Sequence, residues 1–393
     1  MEYRFGTLIL GLAAMPLAAG DEATPLKALA SGKASVELRT RYEQVDDEAG
    51  KKTADALTNR FVLSWKSGSW KGLSAFAQFE NVAVLSGPRY FVPQTGYGQS
   101  SHAVVADPPL SQLNQLFLEW KGLKVGRQLL NLDNQRFVGA VGWRQNDQTF
   151  TGASYVNSTL IPRTDFTLAH FTKAHTIVGQ SKAFKADLLN VRVKAFPGGN
   201  VRLFHYAIEE ELAKTTSFAH TGARVDGEAW KVLLYDVSYA KQKKFKDATD
   251  AGTKEVGYKM FSLGWKINAD HALSLAQETL EGGFKTPYAT LHAWNGWADR
   301  FLTTPANGLK DQFIQYKAKR GAWSYELTHH AYEAETNGAA YGRELDLVVE
   351  VKATAWLKLM VKAADYKADA ETPMIGTANK DLRKLWLQTS ISF

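Results

Sequence analysis

Leu382-Arg-Lys-Leu-Trp-Leu-Gln-Thr-Ser-Ile-Ser-Phe393 is the stretch that decides the fold. Leu385, Leu387, Thr389, Ile391 and Phe393 share one face of a period-2 strand, and Lys384, Trp386, Gln388, Ser390 and Ser392 share the other. A soluble sandwich strand can alternate in this way. A last strand that ends on an aromatic residue instead resembles the closing strand of a bacterial outer-membrane barrel, with Phe393 as the assembly signal.

Working back from that end, the same alternation returns throughout the chain. Val36, Leu38, Thr40 and Tyr42 oppose Glu37, Arg39, Arg41 and Glu43. Phe61, Leu63 and Trp65 oppose Arg60, Ser64 and Lys66. Leu345, Leu347, Val349 and Val351 oppose Glu344, Asp346, Glu350 and Lys352. Each run is about ten residues, enough for a tilted strand to cross a bilayer. Two segments, 155–166 and 201–206, give no clean lipid face.

The connections alternate between short and long. Short turns fall at Ser67–Gly72, Lys121-Gly122, Pro197–Asn200, Asp226-Gly227, Asn268–Asp270 and Arg320-Gly321. Long loops fall at 81–111, 129–147 and 282–310, with shorter members of the same class between them. This is the plan of an outer-membrane barrel, with tight periplasmic turns and long external loops. The pattern predicts an all-β, up-and-down antiparallel barrel of about eighteen strands, an even number that keeps both termini in the periplasm. The whole of 21–393 is then one barrel domain in the outer membrane of a Gram-negative bacterium. Trp65, Trp120, Trp265, Trp323, Tyr239 and Tyr325 lie near strand ends, where interfacial aromatic girdles sit.

Composition narrows the function classes. Hydrophobic residues make up 45% of the 393, yet no apolar window of helix-spanning length follows residue 20. Residues 1–20, with Arg4 ahead of an apolar run and small residues at Ala18 and Gly20, read as a signal peptide. There is no cysteine, and the +7 charge is scattered rather than clustered, which argues against a nucleic-acid partner. The nine histidines, including His329-His330, form no Ser/His or metal-spaced pattern, so no enzyme, metal or cofactor is expected.

If the apolar faces meet lipid, the opposite faces line a lumen. Arg39, Arg41, Arg60, Arg192, Lys194, Lys317, Lys358 and Lys362 then point inward among Glu37, Glu43, Glu80, Asp236, Glu326, Glu344 and Asp346. Buried in a dry core so many charges would be costly, whereas a water-filled barrel removes that cost. The balance leans basic, which favours anions. Cross-strand pairing that merely solvates the wall is the competing reading.

The densest polar segment runs from Val125 to Phe150. Arg127, Arg136 and Arg144 offer planar donors suited to carboxylates. Asp133, Asn134, Gln145, Asn146 and Gln148 can hold them or contact hydroxyls, and Trp143 gives a stacking surface. The same residues can equally pair with one another to fix the loop inside the barrel. Gly126-Arg127-Gln128, Arg136-Phe137-Val138-Gly139 and Gly142-Trp-Arg-Gln-Asn-Asp-Gln-Thr-Phe150 resemble the hallmark of the alginate-export family of outer-membrane barrels. That resemblance implies an eighteen-strand barrel with a loop folded inside and a positive pore.

The expected function is a porin: passive diffusion of small hydrophilic, anionic or carboxylated solutes. Export of an anionic polysaccharide such as alginate is the alternative. Expected partners are outer-membrane lipid and lipopolysaccharide, the barrel-assembly machinery, and a small anionic solute or acidic saccharide.

Overall fold

A computed structural model describes residues 24–369 and 379–393. The signal peptide expected over 1–20 lies outside the described residues. Eighteen antiparallel strands form one sheet. Each strand pairs with its sequence neighbours, and the last, Leu382–Ser392, pairs with both Leu357–Ala368 and the first, Lys33–Asp47. The sheet therefore closes on itself, so no edge is left unpaired. Val36 and Phe393 exchange both backbone hydrogen bonds, at 3.0 and 3.1 Å, and the Phe393 ring stacks on Trp356.

The burial pattern is that of a barrel turned apolar side out. Leu63, Phe79, Leu116, Leu118, Val125, Leu275, Leu345, Leu347, Val361 and Leu387 are exposed, while their strand neighbours Arg41, Glu43, Glu80, Asp311 and Asp346 are fully buried. A soluble sandwich would show the reverse, so the alternation belongs to an integral barrel in lipid. The fold is an all-β outer-membrane barrel, as the alternation predicts.

Chain reversal follows local chemistry. Lys121 and Gly122 both take positive φ, 49° and 90°, the two-residue turn whose twist matches its flanking strands Leu110–Trp120 and Leu123–Gln128. The long connections are 85–109, 129–148 and 281–308, each within a few residues of its expected limits. The first connection, 48–53, is short but lies on the long-loop side, because the second strand begins at Ala54. Trp120, Trp265, Trp323 and Trp356 are outward and exposed beside the short turns.

The two segments with no clean lipid face have a physical explanation. In Gly199–Glu210 the inward side chains Phe204, Tyr206 and Ile208 are themselves apolar and buried. Phe204 and Tyr206 pack against Phe137 from the 129–148 loop, with ring centroids 5.0 and 6.2 Å away. Residues 155–166 span the end of one strand, a turn and the start of the next, Thr164–His175.

Candidate functional site

Two of the long loops fold into the lumen and hold each other. Gly139 N–H donates to Tyr288 O at 2.9 Å and Thr290 N–H donates to Gln135 O at 3.0 Å. The Thr290 hydroxyl donates to Gln135 Oε1 and accepts from Val141 N–H. Gln148 Nε2 donates to Gly139 O and Tyr288 O, at 2.8 and 3.0 Å. A loop carrying this many backbone groups survives inside a barrel only because each group finds such a partner.

The first loop is anchored to the wall by its arginines and amides. Arg39 donates to Gln145 Oε1, Gly142 O and Arg144 O, at 2.9, 2.9 and 2.7 Å. Gln145 N–H donates to Asp107 Oδ1 and Asn146 Nδ2 to Pro108 O, which ties in the 85–109 loop as well. Arg60 pairs with Asp147 at 2.5 Å, Glu80 at 2.6 Å and Glu37 at 3.4 Å. Arg144 pairs with Glu43 and with Asp299 of the second loop, both at 3.1 Å. Burial works against the Arg144 charge, but Glu43, Asp107 and Asp299 outweigh it and hold the guanidinium above its usual range.

Farther round the barrel, Arg136 donates to Glu278 at 2.7 Å and to Asn295 of the second loop at 3.2 Å. Asp133 takes Arg202 at 2.9 Å and Asn190 at 2.6 Å. Asn134 accepts Arg136 N–H and borders a cavity of about 110 Å³ beneath the second loop. That cavity is walled by Asp236, Glu278, Asp311, Glu326 and Asp346, with Lys317 and His330 beside them. Arg39, Arg41, Arg60 and Arg144 thus sit in an ion-pair network on one arc, while acids outnumber cations around this cavity.

At the junction of the two loops lies an aromatic cluster. Trp143 stacks on His292, with centroids 4.6 Å apart and planes 7° apart. Arg41 lies over Trp143 at 4.1 Å, and Lys362 Nζ sits 3.9 Å from the Trp143 ring and 3.7 Å from Trp297. Lys362 Nζ donates to His292 Nε2 at 2.7 Å, and His292 Nδ1 donates to Asp299 Oδ1 at 2.8 Å. Asp299 Oδ2 also accepts Lys384 Nζ at 2.7 Å. Burial keeps the His292 imidazole well below its usual range, more than Asp299 raises it, so the ring is neutral. Although burial opposes it, His292, Lys384 and Arg144 hold the Asp299 carboxyl well below the usual carboxylate range.

Below this cluster, toward the short-turn end, is a cavity of about 200 Å³. Lys266, Lys317, Lys319 and Lys362 line it with Trp143, Trp297, Tyr325 and Met360, and its acids are Asp270, Glu326 and Glu350.

The structure therefore brings Arg39, Arg41, Arg60, Trp143, Arg144, Gln145 and Asn146 together, with Asp133, Asn134 and Arg136 farther along the same loop. Lys317 and Lys362 face the lower cavity. Arg192 and Lys194 are inward near the short-turn end, Arg192 paired with Asp165, and Lys358 is held by Glu350 at 2.5 Å. Arg127 differs. Its ladder partners are Leu116 and Thr151, on the register of outward Leu118 and Val125, and Thr149 and Gln112 hold its guanidinium at 2.7 Å each. Sequence reasoning missed His292, Trp297, Asp299 and Trp386. The clustered aromatics of Trp294-Asn295-Gly296-Trp297 were the available signal.

Neither a known family profile nor a curated protein sequence matches the chain. Solved structures do match its fold. OccAB4 of Acinetobacter baumannii superposes with a TM-score of 0.69 at 14% identity, over 92% of this chain and 98% of that one. OccK11 (OpdR) of Pseudomonas aeruginosa gives 0.67 at 15%, over 93% and 97%. OpdK of Pseudomonas aeruginosa, solved with vanillate, gives 0.69 at 13%, over 93% and 99%. Those proteins are outer-membrane porins, and what this chain shares with them is the closed eighteen-strand barrel fold.

These neighbours overturn the resemblance to the alginate-export family: they are Occ porins. The reason lies in what the quoted motif does here. Arg136, Arg144, Gln145, Asn146 and Gln148 are spent on locking an inward loop to the wall, a task common to barrels with such loops and silent about the solute.

Proposed function

We propose that the protein is a passive channel for small hydrophilic solutes that carry a carboxylate. The observation that carries this reading is the lower cavity, which Lys266, Lys317, Lys319 and Lys362 line together with Trp143 and Trp297, Lys362 lying against both indole faces, beneath a constriction made by two inward loops. Lysine supplies a point charge for an anion, and an indole face takes the apolar body attached to it. The arginine arc above the cavity shapes the constriction, its charges balanced by Glu37, Glu43, Glu80, Asp107, Asp147 and Asp299. A fold neighbour solved with vanillate, an aromatic carboxylate, supports the same solute class.

Single-channel recording of the refolded barrel across a KCl gradient tests it. The expected result is a reversal potential of anion-preferring sign, with benzoate blocking more strongly than acetate and benzyl alcohol not blocking. Exchanging Lys317 and Lys319 for Gln is expected to weaken the benzoate block. Cation preference, or equal block by benzoate and benzyl alcohol, would overturn the proposal.

A further inference from the structure

The lumen accounts for the inward charges, but the lipid-facing wall carries cations of its own. Along Leu233–Lys244 the outward positions run Val237, Tyr239, Lys241, Lys243 toward the long-loop end, all exposed. Along the adjoining Val256–Lys266 they run Trp265, Leu263, Phe261, Lys259 in the same direction, again all exposed. The register sets Leu233 opposite Trp265, Tyr239 opposite Lys259 and Lys241 opposite Gly257.

Two consequences follow from this geometry. Lys241 and Lys259 are diagonal neighbours on one face, roughly 7–8 Å apart at the backbone, and the glycine opposite Lys241 places no side chain between them. From the girdle level of Trp265 and Leu233, position 241 is raised by about 20 Å for a strand tilted by about 40°. The apolar band of such barrels is about 25 Å tall, so Lys241 and Lys243 stand at its external edge. Lys259 starts lower, above Phe261, and its ammonium reaches the same level by extending upward along the wall.

Among the described residues, no carboxylate lies within ion-pair distance of any of these three lysines, and none of their ammonium groups has a hydrogen-bond acceptor. Three other outward cations at this rim are matched by acids: Lys185 by Glu211 at 2.7 Å, Lys310 by Glu333 at 2.9 Å and Lys367 by Asp381 at 2.7 Å. The nearby Glu281 carboxylate accepts Gly257 N–H at 2.6 Å, and Thr221, opposite Lys241 on the other side, is bonded to His205. Three unmatched ammonium groups converging at the edge of an apolar band demand an anion at headgroup depth.

We propose that Lys241, Lys243 and Lys259 form a binding site for the phosphate of a phosphorylated glycolipid in the external leaflet. The acyl chains of that lipid would lie along Tyr239, Val237, Phe261 and Leu263. The site is independent of what passes through the lumen.

Native mass spectrometry of the refolded full-length barrel, titrated with bis-phosphorylated lipid A, tests the assignment. The wild type is expected to hold lipid A and to bind the dephosphorylated lipid at least tenfold more weakly. Replacing all three lysines by glutamine is expected to weaken lipid A binding at least tenfold, on the order of fivefold per lysine. A control variant, Lys310→Gln with Lys367→Gln, is expected to bind as the wild type does. Equal binding of phosphorylated and dephosphorylated lipid by the wild type would overturn the proposal whether or not the triple variant folds. So would undiminished binding by a folded triple variant. Displacement of lipid A by millimolar inorganic phosphate would make this a free-anion site and not a lipid site.

Discussion

Arg144→Ala removes one of the two guanidinia, with Arg136, that join both inward loops to the wall. In the folded barrel it bridges Glu43 and Asp299, each at 3.1 Å, and lies 3.8 Å from Asp107. Glu43 and Asp107 are 1% exposed, so their charges have no water to turn to, whereas Asp299 keeps His292 and Lys384. Breaking a buried pair by removing one partner costs roughly 3–5 kcal/mol. If that cost falls on the docked state of the 129–148 loop, the ratio of docked to undocked shifts by roughly two to four powers of ten. The expected result is a larger and noisier single-channel conductance, with faster hydrogen exchange at the amides of Gly139, Val141 and Gln148. Arg144→Lys, which keeps the charge but not the forked geometry, should fall between the two. Conductance, noise and exchange all matching the wild type would refute the idea that this arginine latches the loops.

Other consequences are open to direct measurement. Because His292 is kept neutral, its folded pKa lies below the ordinary 6.5, so the stability it contributes is present above about 6.5 and is lost as pH falls below it. Protonation also removes the Nε2 acceptor from Lys362. Channel noise is therefore expected to rise between pH 7.5 and 5, and His292→Gln to flatten that rise; an unchanged pH response in the variant would exclude His292 as its source. Removing Phe393 forfeits two closing backbone hydrogen bonds and a stacked aromatic pair, together about 2–4 kcal/mol. A lower folded fraction by heat-modifiable gel mobility is expected, and an unaltered fraction would show that closure does not depend on this residue. Gly126, at φ +135°, would bring a Cβ within 2.2 Å of the Leu116 carbonyl oxygen, so Gly126→Ala is expected to lower the unfolding temperature measured by circular dichroism.

How much of this could be read beforehand depends on which interaction a residue serves. Leu385, Leu387 and Lys384, Trp386 declare their faces through period 2 alone, because lipid on one side and lumen on the other sort side chains without help from distant sequence. The Phe204 and Tyr206 stretch defeats that logic: its inward residues are apolar because Phe137, far away in sequence, comes to pack on them. Arg127 misleads in another way. It adjoins the polar segment in sequence, yet strand register turns it toward the outer face, and a single slip of one residue decides which side an arginine serves.

The arginines that look most suited to a solute are also those most committed to the protein. Arg39, Arg60, Arg136 and Arg144 each spend their donors on loop carbonyls, amides or buried acids. A guanidinium already bidentate to a carboxylate has little left for a passing one, since taking the solute would strand the original partner in a poorly hydrated site. Their contribution to permeation is therefore the shape they enforce. Direct contact falls to side chains that border the lower cavity, among them Lys317, held at 3.4 Å by Glu326, and Lys362, which lies against Trp143 and Trp297. Charge-neutralising Lys317 and Lys319 should accordingly alter solute block with little change in pore width, while Arg144→Ala should alter width first. Observing the two effects exchanged would invert the division between latch and selectivity argued from these contacts.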